Sequence, residues 1–184
     1  SRRLAKIGIT KAVELDWWGS TPAWNGIRIT AIPAQHFSGR TPFDRDSTLW
    51  CGFMVEGCAA NICFCGDTAM GPHIRQIAAR FPRIDASILP IGAFRPQWFM
   101  SEVHMSPEEA VKAHRILGSG ISVASHFGTF PLADDGEREP VELLQRSMAA
   151  HHLTEAEFWV LGFGEGRDMP SLAPRESLAV DSAF

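Results

Sequence analysis

Three side chains able to hold a metal or move a proton each stand just after an apolar run. His36 follows Ile29-Thr30-Ala31-Ile32-Pro33-Ala34-Gln35, Asp67 follows Ile62-Cys63-Phe64-Cys65-Gly66, and His126 follows Ile121-Ser122-Val123-Ala124-Ser125. Strands that end this way deliver polar groups to a sheet edge, where loops commonly carry chemistry. Neutral imidazoles and a carboxylate are the donors that a borderline divalent ion such as zinc or iron takes. Residue types alone leave a plainer assignment open: His36 satisfied within its loop, Asp67 capping the next helix, His126 bonded to a backbone carbonyl.

The elements that must position these residues alternate in period. Residues 11–15 are expected as an edge strand, 16–22 as a turn and 27–33 as a strand, before a polar loop over 37–46. Residues 49–56 and 62–65 read as an antiparallel hairpin. Then Ile74, Ile77, Ala78 and Phe81 fall on one helical face, and Pro82 ends that helix. A strand over 84–91 is apolar on both faces. Ser106-Pro107-Glu108-Glu109 is a helix start with a capping box, predicting a helix from Pro107 to Leu117. A strand over 121–125, a helix over 141–151 with Val141, Leu144 and Met148 inward, and a last strand over 158–163 complete an α/β architecture, a sheet covered by helices. Thr68 is expected to start the helix after Asp67, and the polar tail over 167–184 to fray.

Bulk properties narrow the function. At 184 residues and 45% hydrophobic, the chain suits one domain with a proper core. A net charge of -4 and pI near 6.0 give no general attraction to nucleic acid or anionic lipid. Neither a spanning apolar run nor a signal-peptide pattern occurs in the sequence, which sets the expectation of a soluble, cytoplasmic protein. The four cysteines, at 51, 58, 63 and 65, are expected as small apolar core thiols; a sulfur-ligated zinc would want a second pair at ribbon spacing.

Five collinear motifs go further: Pro33-Ala34-Gln35-His36-Phe37-Ser38-Gly39-Arg40-Thr41, Phe64-Cys65-Gly66-Asp67-Thr68, Leu89-Pro90-Ile91-Gly92-Ala93-Phe94, Val103-His104-Met105-Ser106-Pro107-Glu108-Glu109-Ala110 and Ser125-His126-Phe127-Gly128-Thr129-Phe130. Val13-Glu14-Leu15-Asp16-Trp17-Trp18 adds a sixth. In this order they resemble the metallo-β-lactamase superfamily, within it the branch of N-acyl-phosphatidylethanolamine-hydrolysing phospholipase D, over about residues 9–166. The resemblance implies an αββα sandwich with a dinuclear metal centre, usually zinc, and a phosphodiesterase acting on phospholipid-like substrates. It makes His36, Asp67 and His126 metal ligands, with Asp67 bridging and catalytic. It places His104 beside the pocket as a catalytic or orienting group. Arg95, Gln97, Trp98 and Phe99 become substrate-side residues, the aromatic pair as a wall for an acyl chain.

The superfamily's His-x-His-x-Asp-His loop does not occur in this sequence. The chain is therefore expected to be a single partial domain over 1–184, the C-terminal half of the sandwich, a truncated product or fragment. With three protein ligands it is expected to hold one zinc or none where the complete enzyme holds two. Its uncovered sheet face is expected to pair with a second copy or with the missing half. Peripheral membrane contact accords with a lipid-like substrate. Two alternatives stand beside the hydrolase: a catalytically silent interaction module that pairs through that face, and a lactonase or nuclease of the same superfamily.

Overall fold

A computed structural model describes residues 2–170, with side chains from residue 4 onward. Seven strands form one mixed sheet: β1 (Ser20–Pro22), β2 (Arg28–Ile32), β3 (Gly52–Glu56), β4 (Asn61–Phe64), β5 (Ala86–Pro90), β6 (Ile121–Ser125) and β7 (Phe158–Trp159). Their order across the sheet is their order in the chain. β1 to β4 pair antiparallel; β4 to β7 pair parallel. The helices are α1 (Arg2–Lys6), α2 (Pro72–Arg80), α3 (Gln97–Met100), α4 (Pro107–Leu117) and α5 (Glu139–Ala150). Because two antiparallel pairings restore direction, β2 runs the same way as β4, β5 and β6. Everything that follows those four strands therefore gathers at one sheet edge.

Each crossover between parallel strands carries a helix, and α4 packs between α2 and α5. α4 shows why the sequence folds as it does. The Ser106 hydroxyl accepts the Glu109 amide at 3.3 Å, Glu109 Oε2 accepts the Ser106 amide at 2.8 Å, and Gly118 ends the helix at φ +61°. Such a cap is worth about 1 kcal/mol. The apolar faces of the helices meet Met54, Cys63, Leu89 and Phe158 of the sheet, with Ile74, Ile77, Val111 and Leu144 buried between.

The opposite sheet face is apolar too. Registers align Phe53 with Phe64, Phe64 with Ile88, Ile88 with Val123, and Val123 with Trp159, one row across five strands. Phe53 and Phe64 remain 37% and 40% exposed.

Several sequence expectations change. Residues 11–16 carry no regular structure, and the edge strand is Ser20–Pro22, inside the expected turn. There the chain turns at Asp16, whose carbonyl accepts the Gly19 amide, and Trp18 and Gly19 exchange hydrogen bonds with Ala31. The last strand is two residues long because the chain turns at Gly162, whose carbonyl accepts the Glu165 amide. α2 begins at Pro72 with Gly71 as its cap, so Thr68 starts no helix. The core-thiol expectation holds for Cys63 and Cys65, but Cys58 is exposed; all four thiols are free. Within the tail, residues 171–184 lie outside the described residues.

Candidate metal centre

His36, Asp67 and His126 leave the ends of β2, β4 and β6, and His104 enters between α3 and α4. The four converge. The His104 ring centroid lies 5.0 Å from that of His36 and 4.9 Å from that of His126, and His126 Nε2 is 3.5 Å from Asp67 Oδ2. At that length the last contact is an ion pair rather than a tight hydrogen bond.

The local backbone explains the convergence. Gly66 turns the chain at φ +65° just before Asp67. His126 itself adopts φ +59°, a left-handed conformation that costs a non-glycine residue about 1 kcal/mol or more. Its carbonyl then lies so close to Gly92 that a methyl group there would stand 2.1 Å away. Only glycine fits.

The plainer assignment fails for Asp67 and describes only part of His36. Asp67 caps no helix. The His36 ring stacks on Phe37, 4.5 Å between centroids, and its Nδ1 lies 2.9 Å from the Phe37 carbonyl. That oxygen only accepts, so Nδ1 carries the hydrogen and Nε2 keeps its lone pair. His36 Nε2, His104 Nδ1 and His126 Nδ1 are buried without a hydrogen-bond partner. Native interiors rarely leave such atoms orphaned, and several together mark a site built for something else.

Charge is tuned in the same direction. The hydrogen bond from His126 lowers the Asp67 carboxyl below its usual range, against partial burial. The same contact raises His126, against its own burial. Burial, helped by the neighbouring His126 and His36, drops His104 to about 4, so its ring is neutral.

Two imidazoles and a carboxylate fit a divalent ion by donor type, and the buried lone pair of His36 fits it by environment. Among the described residues, no group of three or more His, Cys, Asp or Glu side chains stands close enough together to hold a metal ion as arranged. Asp67 leans instead on His126, an ion pair that a metal would have to replace.

Sequence reasoning missed Asp135. Its Oδ2 accepts the Ala93 amide at 3.1 Å, its Oδ1 is buried without a partner, and its charge acts on His104. The only signal was an Asp-Asp-Gly turn downstream of the His126 motif. His126 and Asp135 line a cavity of about 200 Å³ with Phe130 and Leu132. His126 also borders a more apolar cavity of about 590 Å³ with Phe127, Val141, Val160 and Phe163.

The substrate-side residues expected from sequence stand elsewhere. Arg95 lies over the Phe94 ring and pairs with Glu139 at 2.8 Å. With Gln97 it lines a separate cleft of about 390 Å³, which also contains Ser106, Arg146 and His151. Trp98 and Phe99 on α3 are 82% and 61% exposed. None of the four lines either cavity that His126 borders.

Comparison with known proteins identifies the family. The chain is 40% identical over 149 residues to an uncharacterized protein of Mycobacterium tuberculosis, covering 79% of this chain and 39% of that one. It is 33% identical over 164 residues to the N-acyl-phosphatidylethanolamine-hydrolyzing phospholipase D 1 of Caenorhabditis elegans, covering 86% and 46%. The chain thus spans less than half the length of these two relatives. Among solved structures, a metallo hydrolase from the archaeon Ignicoccus hospitalis superposes with a TM-score of 0.66 at 22% identity, over 89% of this chain and 63% of that one. The model of the β-lactamase superfamily domain matches residues 1–127, a span that begins before β1 and ends just after His126, and the chain belongs to that family.

Proposed function

We propose that this chain carries one edge of the reactive centre of a metal-dependent hydrolase, a phosphodiesterase for phospholipid-like substrates, with zinc as the metal. The observation that carries the proposal is the set of buried, unpartnered imidazole nitrogens around Asp67. His36, Asp67 and His126 would hold the ion; in the complete protein, ligands from outside this chain would complete two sites. A bound metal supplies Lewis acidity towards a phosphoryl oxygen and a nucleophile at neutral pH.

The chain's own residues divide the remaining tasks. The Phe37 carbonyl holds the His36 ring through Nδ1, which leaves Nε2, buried and without a partner, as the nitrogen for the ion. Asp67 brings the negative charge that two imidazoles lack. His104, neutral between His36 and His126, is placed to exchange a hydrogen bond or proton with a bound substrate. The apolar cavity beside His126 offers the chain of a lipid a water-poor place next to the reacting group. The resemblance to the worm phospholipase D supports the same substrate class.

The test is zinc titration of the chain and of His36→Ala and Asp67→Ala. Stoichiometric binding that both substitutions abolish is expected; binding that neither changes would remove the site. A second reading, a pairing module, draws support from the exposed row of Phe53 and Phe64. Sedimentation of wild type against Phe64→Glu decides it, and a monomer in both samples would end that reading.

A further inference from the structure

Outside the donor set, one buried polar group touches nearly every loop that delivers a donor. Thr68 is 1% exposed and sits next to Asp67. Its hydroxyl accepts the Gln35 amide at 2.9 Å, and its carbonyl accepts the Met105 amide at 3.0 Å. Gln35 is the residue before His36, and Met105 the residue after His104. Gln35 returns both contacts: its carbonyl accepts the Ala69 amide at 2.9 Å, and its side-chain nitrogen donates to the Glu102 carbonyl at 3.1 Å. Three donor-bearing loops are thus tied through two residues that bind no metal.

The knot has its own backing. His73 Nε2 lies 3.0 Å from Thr68 Oγ1, and the Ala69 carbonyl lies 3.0 Å from the same oxygen. All three contacts are satisfied together when the His73 N–H donates to Thr68 and the Thr68 hydroxyl donates to Ala69. Burial lowers His73 to about 4, which keeps its ring neutral and suited to this role. Gly71 leaves the necessary room, since a methyl group there would lie 2.5 Å from Gln35 Oε1 and 3.0 Å from His73 Nδ1.

We propose that Thr68, backed by His73, is the positioning residue that sets His36, Asp67 and His104 in register for metal uptake. The role rests on the metal reading above, and it acts through geometry rather than contact with the ion. Removing partners of this kind lowers metal affinity about 10- to 100-fold in characterised sites.

Cobalt(II) titration by visible absorption, with amide hydrogen exchange of Gln35 and Met105, tests it. Thr68→Val keeps the shape and loses the hydroxyl; Thr68→Ser keeps the hydroxyl. Thr68→Val is expected to bind cobalt about 10- to 100-fold more weakly and to exchange the Gln35 amide faster, while Thr68→Ser stays near wild type in both. His73→Phe should move the same way by less, and it serves if Thr68→Val fails to fold. Unchanged Gln35 exchange in Thr68→Val would overturn the proposal, as would unchanged cobalt affinity despite faster exchange. So would a Thr68→Ser variant that behaves like Thr68→Val. Absence of cobalt binding by the wild-type chain would instead overturn the metal reading, and the Gln35 amide alone would then decide whether Thr68 fixes the loops.

Discussion

Two buried histidine clusters lie at opposite ends of the same parallel strands. At the end where the strands begin, His114 Nδ1 lies 2.8 Å from Ser122 Oγ, Ser122 lies 2.8 Å from Ser87, and Ser87 lies 2.8 Å from Ser119. Each of these side chains is buried and has a partner. At the end where the strands stop, His36, His104 and His126 crowd together, and a nitrogen on each is left without one. The same residue type is closed in one place and open in the other. Closure stabilises; openness reserves valence for something that arrives later.

The contrast is sharpest at its largest expected effect. Asp67→Ala should reduce zinc affinity more than about 100-fold, beyond what the loss of an outer partner produces, measured by calorimetric titration. The fold should survive, since Asp67 is 51% exposed and caps no helix.

Gly92→Ala follows. Its methyl group would press on the His126 carbonyl, and overpacking of this kind costs about 1 to 3 kcal/mol by denaturant unfolding. Zinc affinity should fall with it, because the displaced backbone carries His126, a proposed ligand.

A matched pair can break the comparison directly. His114→Phe removes one of the two partners of Ser122 and should cost about 0.5 to 1.5 kcal/mol, with zinc affinity unchanged. His104→Phe replaces a ring whose Nδ1 already lacks a partner and should be nearly neutral for stability, or stabilising. Equal losses at both positions would show that the two ends do not differ in kind.

A further effect is on pH dependence. Burial lowers His73 to about 4 from the ordinary 6.5, and it also lowers His114. As pH falls below 6.5 the unfolded chain takes up protons that the folded chain refuses, so stability drops progressively towards pH 4. The thermal midpoint without metal should follow that course, less steeply in His73→Phe.

Much of this was legible in sequence because local chemistry decided it. α4 was readable to the residue, since Ser106, Pro107, Glu109 and Gly118 leave its ends little choice. β6 was readable from an apolar run that stops at His126. The strand expected over residues 11–15 failed because alternating bulk is only half of a strand; a neighbour must accept its hydrogen bonds, and β2 takes residues 18–22 instead. Motif order brought His36, Asp67, His104 and His126 to notice. Asp135 stayed hidden because its partner, Ala93, lies far along the chain, and the Thr68–His73 contact because it forms across an irregular turn that neither helical nor strand periodicity describes. Arg95 was expected on the substrate side, and its pairing with Glu139 was hidden because that partner lies far along the chain on α5.

Strand order equal to chain order also has a kinetic consequence. Each strand docks on the one synthesised just before it, so the sheet grows outward without waiting for a distant segment. His36, Asp67 and His126 emerge in that sequence, and the donor set is finished only when β6 has joined. A metal held by the proposed donors would then bind after most of the sheet is made, as a latch on assembly and not its nucleus.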